Sequence, residues 1–351
     1  MKTFLISRTD AIGDLVLTLP MAGWLKQQFP GCRVVVLGRN YTRAVATACP
    51  FVDGFLSDDD LIVLPTQAQE ARLQAVRADV ILHVFPSRRL ARLAKEAGIP
   101  IRIGTRNRWF HWLTCNRLVS LSRRHSPWHE SQLNMLLLRP LGLQTIPALE
   151  ELVPLGKLQA SEALAASVME QLQRKPVGKL NIILHPRSRG HGREWGLAHF
   201  GTLVRLLHAQ GHQVFVTGTA AEADTMREWL QAHTGLLTDL TGQLSLPQFL
   251  AFIAAADGLV AAGTGPLHLG AALGRQALGL FPPIRPVHPG RWAPLGPHAE
   301  YVVFDKPDCS DCRQNPAGCS CMLAIEPAQV AARIARWQPL APAAASHGFS
   351  A

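Results

Sequence analysis

The chain has 351 residues, 48% of them hydrophobic and 17% charged, with a net charge of +10. That length exceeds one typical core and points to two domains, while the composition excludes a disordered or low-complexity protein. The excess of 35 Lys and Arg over 25 Asp and Glu calls for acidic partners: nucleic acid, phosphorylated sugars or an anionic membrane surface. The apolar run Phe4-Leu5-Ile6 is far too short for a signal peptide, and the apolar stretch 258–281 is interrupted by glycines, Pro266, His268 and Arg275, so no membrane span is expected. The expectation is a cytoplasmic protein.

In chain order, Phe4–Ile6 reads as a strand, followed by the turn Arg8-Thr9-Asp10-Ala11-Ile12-Gly13-Asp14 and a helix over Asp14–Gln28 with Leu15, Leu19 and Leu25 on its apolar face. Cys32–Leu37 is apolar throughout, as in strands covered on both faces. Asn40–Ala48 reads as a helix, Gly54–Leu56 and Val80–Phe85 as strands, Arg88–Ala97 as a helix and Ile101–Gly104 as a strand. The stretch 102–129 sets Arg102, Arg106, Arg108, Arg117, Arg123 and Arg124 among Trp109, Phe110, Trp112 and Trp128. A helix over Trp128–Leu141 ends at Gly142, and Pro147 and Pro154 mark linker sequence.

The pattern then restarts. Strands are expected at Asn181–Leu184, Gln213–Thr217, Thr238–Leu240, Gly258–Ala262, Ala277–Phe281 and Tyr301–Phe304. Helices are expected at His199–Ala209, Ala221–His233, Leu246–Ala256 and Pro327–Trp337. Alternating strands and helices indicate doubly wound parallel sheets. The expected organisation is a Rossmann-like domain over 1–150, a linker over 151–175, a second Rossmann-like domain over 176–325, a helix over 326–338 packing back toward the first domain, and a disordered tail over 339–351. Ligands of such folds bind at the carboxyl ends of the strands, here expected in a cleft between the two domains.

The dinucleotide fingerprint G-x-G-x-x-G is missing from the first strand–helix turn, and no phosphate loop G-x-x-x-x-G-K-[ST] or nucleophile elbow G-x-S-x-G occurs. These absences disfavour nicotinamide-dependent oxidoreductases, P-loop NTPases and serine hydrolases. Three strand-end turns carry chemistry instead. Arg8–Asp14 holds a cation and two carboxylates. His185–Trp195 holds Arg187, Ser188, Arg189, His191 and Arg193. Gly263-Thr264-Gly265-Pro266-Leu267-His268 opens a helix, with Thr264 in capping position and Pro266 in the first turn. Glycines beside a helix N-terminus and cations in a loop suit a diphosphate leaving group, and a carboxylate suits a hydroxyl nucleophile that needs a base. Each feature also has a plain alternative. Asp14 is equally a first-turn acid favoured by the helix dipole, worth about 0.3–1 kcal/mol. Asp10 is equally a loop residue, His268 a buried satisfied histidine, and Glu222 either a ribose ligand or a first-turn acid. Asp58-Asp59-Asp60 reads as a solvated loop or a metal–nucleotide cluster.

Gly13-Asp14-Leu15-Val16-Leu17-Thr18-Leu19-Pro20 resembles the G-D-x-x-x-T-x-P start of the ADP-heptose:lipopolysaccharide heptosyltransferases, glycosyltransferase family 9. His185–Trp195 resembles that family's H-P-G-S-type loop, and Gly263–His268 its [D/G]-[ST]-G-x-x-H turn. The resemblance spans about residues 1–335. It implies a GT-B fold, an α/β architecture of two Rossmann-like doubly wound domains facing across a cleft. It also implies metal-independent, inverting transfer of heptose from an ADP-sugar to the Kdo/heptose inner core of a lipid A-linked oligosaccharide, with another nucleotide-sugar donor as the alternative. By resemblance Asp14 is the general base and Arg8 a nearby catalytic cation. Arg193 contacts the donor diphosphate, and Thr264, Gly265 and His268 form the phosphate turn. Arg187, Ser188, Glu222 and Pro266 complete the expected donor set. Some members carry Asp where Gly263 stands, which leaves the donor sugar open.

Arg102, Arg106, Arg108, Arg123 and Arg124, interleaved with Trp, suit acceptor phosphates beside an interfacial aromatic anchor. The competing reading, a nucleic-acid surface, lacks any accompanying fold signature. Of the seven cysteines, Cys309, Cys312, Cys319 and Cys321 cluster, a set that fits either a structural Zn²⁺ or reduced thiols. No cofactor is expected for catalysis. The expected location is the cytoplasmic face of the inner membrane, peripherally bound.

Overall fold

A computed structural model describes residues 1–123, 126–188, 190, 192–307, 309–315 and 318–341. The chain divides into two compact units, Met1–Leu158 and Gln159–Ala351.

The first unit is built on six parallel strands: β1 (Thr3–Ser7), β2 (Arg33–Gly38), β3 (Gly54–Ser57), β4 (Val80–His83), β5 (Ile101–Thr105) and β6 (Arg117–Val119). Their order is β3-β2-β1-β4-β5-β6. Leu5 pairs with Val35 on one side and Ile81 on the other, and all three are buried under Leu90, Leu93 and Ala94 of the Arg88–Glu96 helix. Every residue of β1 and β4 is buried, which is why these strands read as unbroken apolar runs.

The second unit repeats the plan with β7 (Asn181–His185), β8 (Gln213–Val216), β9 (Thr238–Asp239), β10 (Gly258–Ala262), β11 (Gln276–Phe281) and β12 (Ala299–Val303), also all parallel. Their order is β12-β11-β10-β7-β8-β9. Each sheet therefore has one switch point where strand order reverses, β1/β4 in the first unit and β7/β10 in the second. Such a point opens a crevice at the strands' carboxyl ends.

Several sequence expectations are corrected. The helix expected over Asp14–Gln28 is two helices, Ile12–Val16 and Pro20–Gln28, because Pro20 has no N–H to continue the first. The Trp128–Leu141 helix begins at Glu130 and tightens to a 3₁₀ stretch over Leu136–Leu141, ending at Gly142 with φ +106°. Helices at Asp58–Ile62, Thr66–Gln74 and Trp109–Thr114 were not legible, being short or lacking a clear apolar stripe. The presumed linker contains the helix Ala166–Gln173.

The C-terminal helix, Pro327–Ile334, was expected to pack toward the first domain. Its apolar face (Val330, Ala331 and Ile334, continued by Trp337) lies in the core of the second unit, against the Leu197–Ala209 helix. The expected disordered tail starts docked: Gln276 Nε2 donates to Gln338 O, Asp257 accepts from Leu340 N, and Arg275 donates to Ala341 O. Residues 342–351, Arg124, Arg189 and His191 lie outside the described residues.

Candidate active site

In the first unit, the turn after β1 brings Arg8, Asp10 and Asp14 together. Arg8 is 4% exposed and offers each guanidinium nitrogen to a different acceptor. Its Nε donates to Asp10 Oδ1 at 2.7 Å, one terminal nitrogen to Asp14 Oδ1, and the other to Glu130 Oε1 at 3.3 Å and Asn134 Oδ1 at 3.4 Å. Asp14 stands in the first turn of the Ile12–Val16 helix with its side chain 20% exposed, open enough to meet a ligand hydroxyl. Burial pushes the Asp10 carboxyl up to about 6, with Asp14 adding to the rise and Arg8 opposing it.

Two members of this cluster were missed from sequence, Glu130 and Asn134. Glu130 is fully buried and pairs with both Arg8 and Arg123, the latter at 3.0 Å. Asn134 Oδ1 accepts from both arginines, and its amide donates to Leu17 O and Thr18 Oγ1. Thr18 Oγ1 in turn donates to Asp14 O at 2.8 Å. The segment bearing Asp14 is thus fastened to the Glu130–Met135 helix at both ends of its first turn. The available signal was a lone acid opening a short helix seven residues after Arg123.

The acceptor candidates separate. Arg123 is engaged by Glu130 and Asn134. Arg102 donates to Thr114 O at 2.7 Å and to Ile99 O, bracing β5 against its neighbouring loop. Arg106 and Arg108 are exposed beside Trp112 and Trp109. Asp58, Asp59 and Asp60 form the first turn of a helix and pair with Arg89, Arg39 and Arg43, so the run acts as charge-paired structure.

In the second unit, the two expected donor turns follow β7 and β10, the strands on either side of the switch point. They touch: a methyl group at Gly192 would lie 3.4 Å from Gly263 O and 3.5 Å from Thr264 Cγ2. Glu194, unnoticed in sequence, organises the first turn by accepting from Ser188 N and Oγ and from Arg187 Nη1. Arg193 donates to Cys312 Sγ at 3.3 Å and Cys312 O at 3.4 Å. Trp195 is a core residue whose indole donates to Ile325 O.

In the second turn, Thr264 precedes the Gly265–Ala272 helix but does not cap it through its side chain; its hydroxyl donates back to Ala262 O at 3.2 Å. Pro266 sits in the first turn and His268 is buried. Uncapped backbone N–H groups and the positive helix end therefore face the strand end, a ready anion seat. A Cβ on Gly263 would come within 2.5 Å of the buried Phe281 ring, so this ring fills the space a side chain at 263 needs. Glu222 completes a capping box, accepting from Thr219 N at 2.7 Å and Thr219 Oγ1 at 3.0 Å, which gives it a structural task irrespective of any ligand.

Cys309, Cys312, Cys319 and Cys321 are all buried in the core of the second unit as free thiols. Cys309 and Cys321 approach to 3.6 Å between sulfurs, and burial pushes the Cys319 thiol up to about 11. Among the described residues no group of three or more His, Cys, Asp or Glu is placed to hold a metal ion. An open pocket of about 640 Å³ beyond the ends of β11 and β12 is bordered by Arg285, His288, Lys306 and Arg313.

The model of glycosyltransferase family 9 (heptosyltransferase) matches residues 68–322. The chain belongs to this family. It is a glycosyltransferase with the GT-B fold. A Haemophilus influenzae protein provisionally named a glycosyltransferase is 27% identical over 326 residues, which is 90% of this chain and 92% of that protein. Lipopolysaccharide heptosyltransferase 2 of Escherichia coli K12 is 24% identical over 288 residues, 78% of this chain and 81% of the relative. Among solved structures, E. coli ADP-heptose lipopolysaccharide heptosyltransferase II matches with a TM-score of 0.74 at 19% identity, covering 95% of this chain and 98% of that one. The family-9 match begins at residue 68, so the Arg8–Asp14 turn lies ahead of it. Among the described residues no helix is long and apolar enough to cross a membrane.

Proposed function

We propose that this family-9 glycosyltransferase transfers a heptose from ADP-heptose to the Kdo/heptose inner core of a lipid A-linked oligosaccharide, with inversion and without a metal. The observation that carries this reading is the Asp14 carboxylate, partly exposed and held in position by the buried Arg8. The acceptor hydroxyl gives its proton to Asp14 as its oxygen attacks the anomeric carbon from the face opposite the nucleotide. The bond from that carbon to the diphosphate breaks, and ADP departs with the electron pair. Arg193 and the N–H groups of the Gly263–His268 turn stabilise the charge that develops on the leaving phosphate. The donor assignment draws support from E. coli heptosyltransferase structures solved with ADP and with ADP-2-deoxy-2-fluoro heptose, which share this fold at TM-scores of 0.70 and 0.68. The acceptor assignment draws support from the lipopolysaccharide heptosyltransferases among the relatives. A lipid-anchored acceptor and the positive net charge favour a peripheral position on the cytoplasmic face of the inner membrane.

A second reading keeps the mechanism and changes the sugar. It is favoured by Gly263, whose side-chain space is taken by Phe281, so that no carboxylate at this position can contact sugar hydroxyls. Turnover with a panel of nucleotide sugars separates the two: activity with ADP-heptose is expected, and activity with a non-heptose donor alone would overturn the first reading. Mass spectrometry of lipopolysaccharide from a deletion strain should show a truncated core, and an intact core would remove the acceptor assignment.

A further inference from the structure

The Trp109–Thr114 helix is amphipathic with its apolar side outward. Trp109, Trp112 and Leu113, at positions i, i+3 and i+4, share one face and are 61%, 57% and 65% exposed, while His111 is fully buried. An ordinary surface helix does the reverse, turning its apolar stripe to the core. Monomeric proteins rarely leave such side chains together in water without a partner for them.

The rim of this face is cationic. The Arg88 guanidinium lies 4.9 Å from the Trp109 ring and that of Arg106 5.8 Å from the Trp112 ring. Lys95 reaches across to Leu113 O at 3.0 Å. The one acid of the Arg88–Glu96 helix, Glu96, is already paired with Arg92 at 2.6 Å. The Trp112 indole donates to Arg106 O, holding the ring's polar edge inward to the protein and leaving its apolar body outward.

We infer that this face docks on an anionic lipid bilayer, with Trp109, Trp112 and Leu113 seated among the acyl-chain boundary and Arg88, Lys95 and Arg106 on the headgroup phosphates. Tryptophan and leucine backed by cations suit the interface on both counts, because the rings need a half-polar medium and the cations need anions. Charge complementarity favours lipid over a second copy of this chain, since two such faces would set cation against cation. The inference builds on the lipid-linked acceptor of the proposed function and adds the surface that brings the enzyme to it.

The test is flotation of the full chain with vesicles of phosphatidylcholine in which about one lipid in three is phosphatidylglycerol, against phosphatidylcholine alone. The parent protein should bind the anionic vesicles and release with rising salt. The combined Trp109→Ser, Trp112→Ser, Leu113→Ser variant should lose at least about tenfold in partition, while its thermal unfolding and its turnover of a deacylated, water-soluble acceptor stay as in the parent. Equal partition of parent and variant would overturn the inference, as would oligomers of the parent that the substitutions disperse without any vesicle binding. If vesicle binding falls as expected but the parent turns over no ADP-heptose, the docking surface stands and the transferase assignment falls.

Discussion

The polar clusters at the two switch points occupy matching addresses in their sheets and are built from different materials. At the end of β1 the first unit gathers side-chain charges, two arginines against three carboxylates, and locks them with the fully buried Glu130. At the ends of β7 and β10 the second unit presents glycines, an uncapped helix start, Arg187 paired with Glu194, and Arg193 braced on a cysteine. The first arrangement holds a carboxylate still while leaving it accessible. The second leaves backbone N–H groups at a helix start without a side-chain cap, as the proposed phosphate seat requires. A base needs a fixed side chain, whereas a diphosphate needs room and donors, and the difference in materials fits the tasks proposed for the two turns.

Removing the lock should break the contrast most severely. Glu130→Leu leaves the buried Arg8 and the partly buried Arg123 without their shared carboxylate, and a loss of about 3 kcal/mol in the unfolding free energy of the first unit is expected by denaturant titration. Glu130→Gln keeps the shape and should retain the fold. On the donor side, Arg193→Ala should weaken ADP binding by calorimetry about tenfold to a hundredfold, the worth of one charge-assisted contact.

Gly263→Ala tests the room in the donor turn. The added methyl must displace the Phe281 ring, so a stability loss of about 1–3 kcal/mol is expected, accompanied by weaker ADP binding. His83, the last residue of β4, gives a pH test confined to the first unit. It is fully buried, and burial, with help from His111 and Arg102, lowers its pKa to about 3. Neither of its ring nitrogens has a hydrogen-bond partner among the described residues. The folded state therefore holds it neutral while the unfolded chain takes up a proton below about 6.5, so its contribution is lost as pH falls. Unfolding free energy should drop by about 2 kcal/mol from pH 7 to pH 5, and His83→Phe should flatten that slope.

Much of this was readable because it is local. The strand cores of both units are continuous apolar runs, and the three turns lie at the strand ends where the sequence put them. Asp14 and Arg8 could be singled out since six residues separate them. Glu130 and Asn134 could not, because they reach Arg8 from 122 and 126 residues away, with no periodicity to announce it. The same holds for Arg193, braced on a cysteine 119 residues further on, and for Gly263, whose neighbour Phe281 comes from the next strand over. Helices of four to six residues, such as Trp109–Thr114, carry too few turns for a stripe to emerge, and here the stripe faces outward. Arginine counts likewise said nothing of which guanidinium groups would be consumed inside the protein, as those of Arg102 and Arg123 are.

The central claim is that the carboxylate of the first unit moves the proton while the second unit holds the nucleotide. Asp14→Asn, assayed for heptose transfer and in parallel for ADP binding by calorimetry, addresses both halves at once. The account predicts a fall in kcat on the order of 10²–10⁴ with the Kd for ADP unchanged. Near-parental kcat in that variant would contradict it.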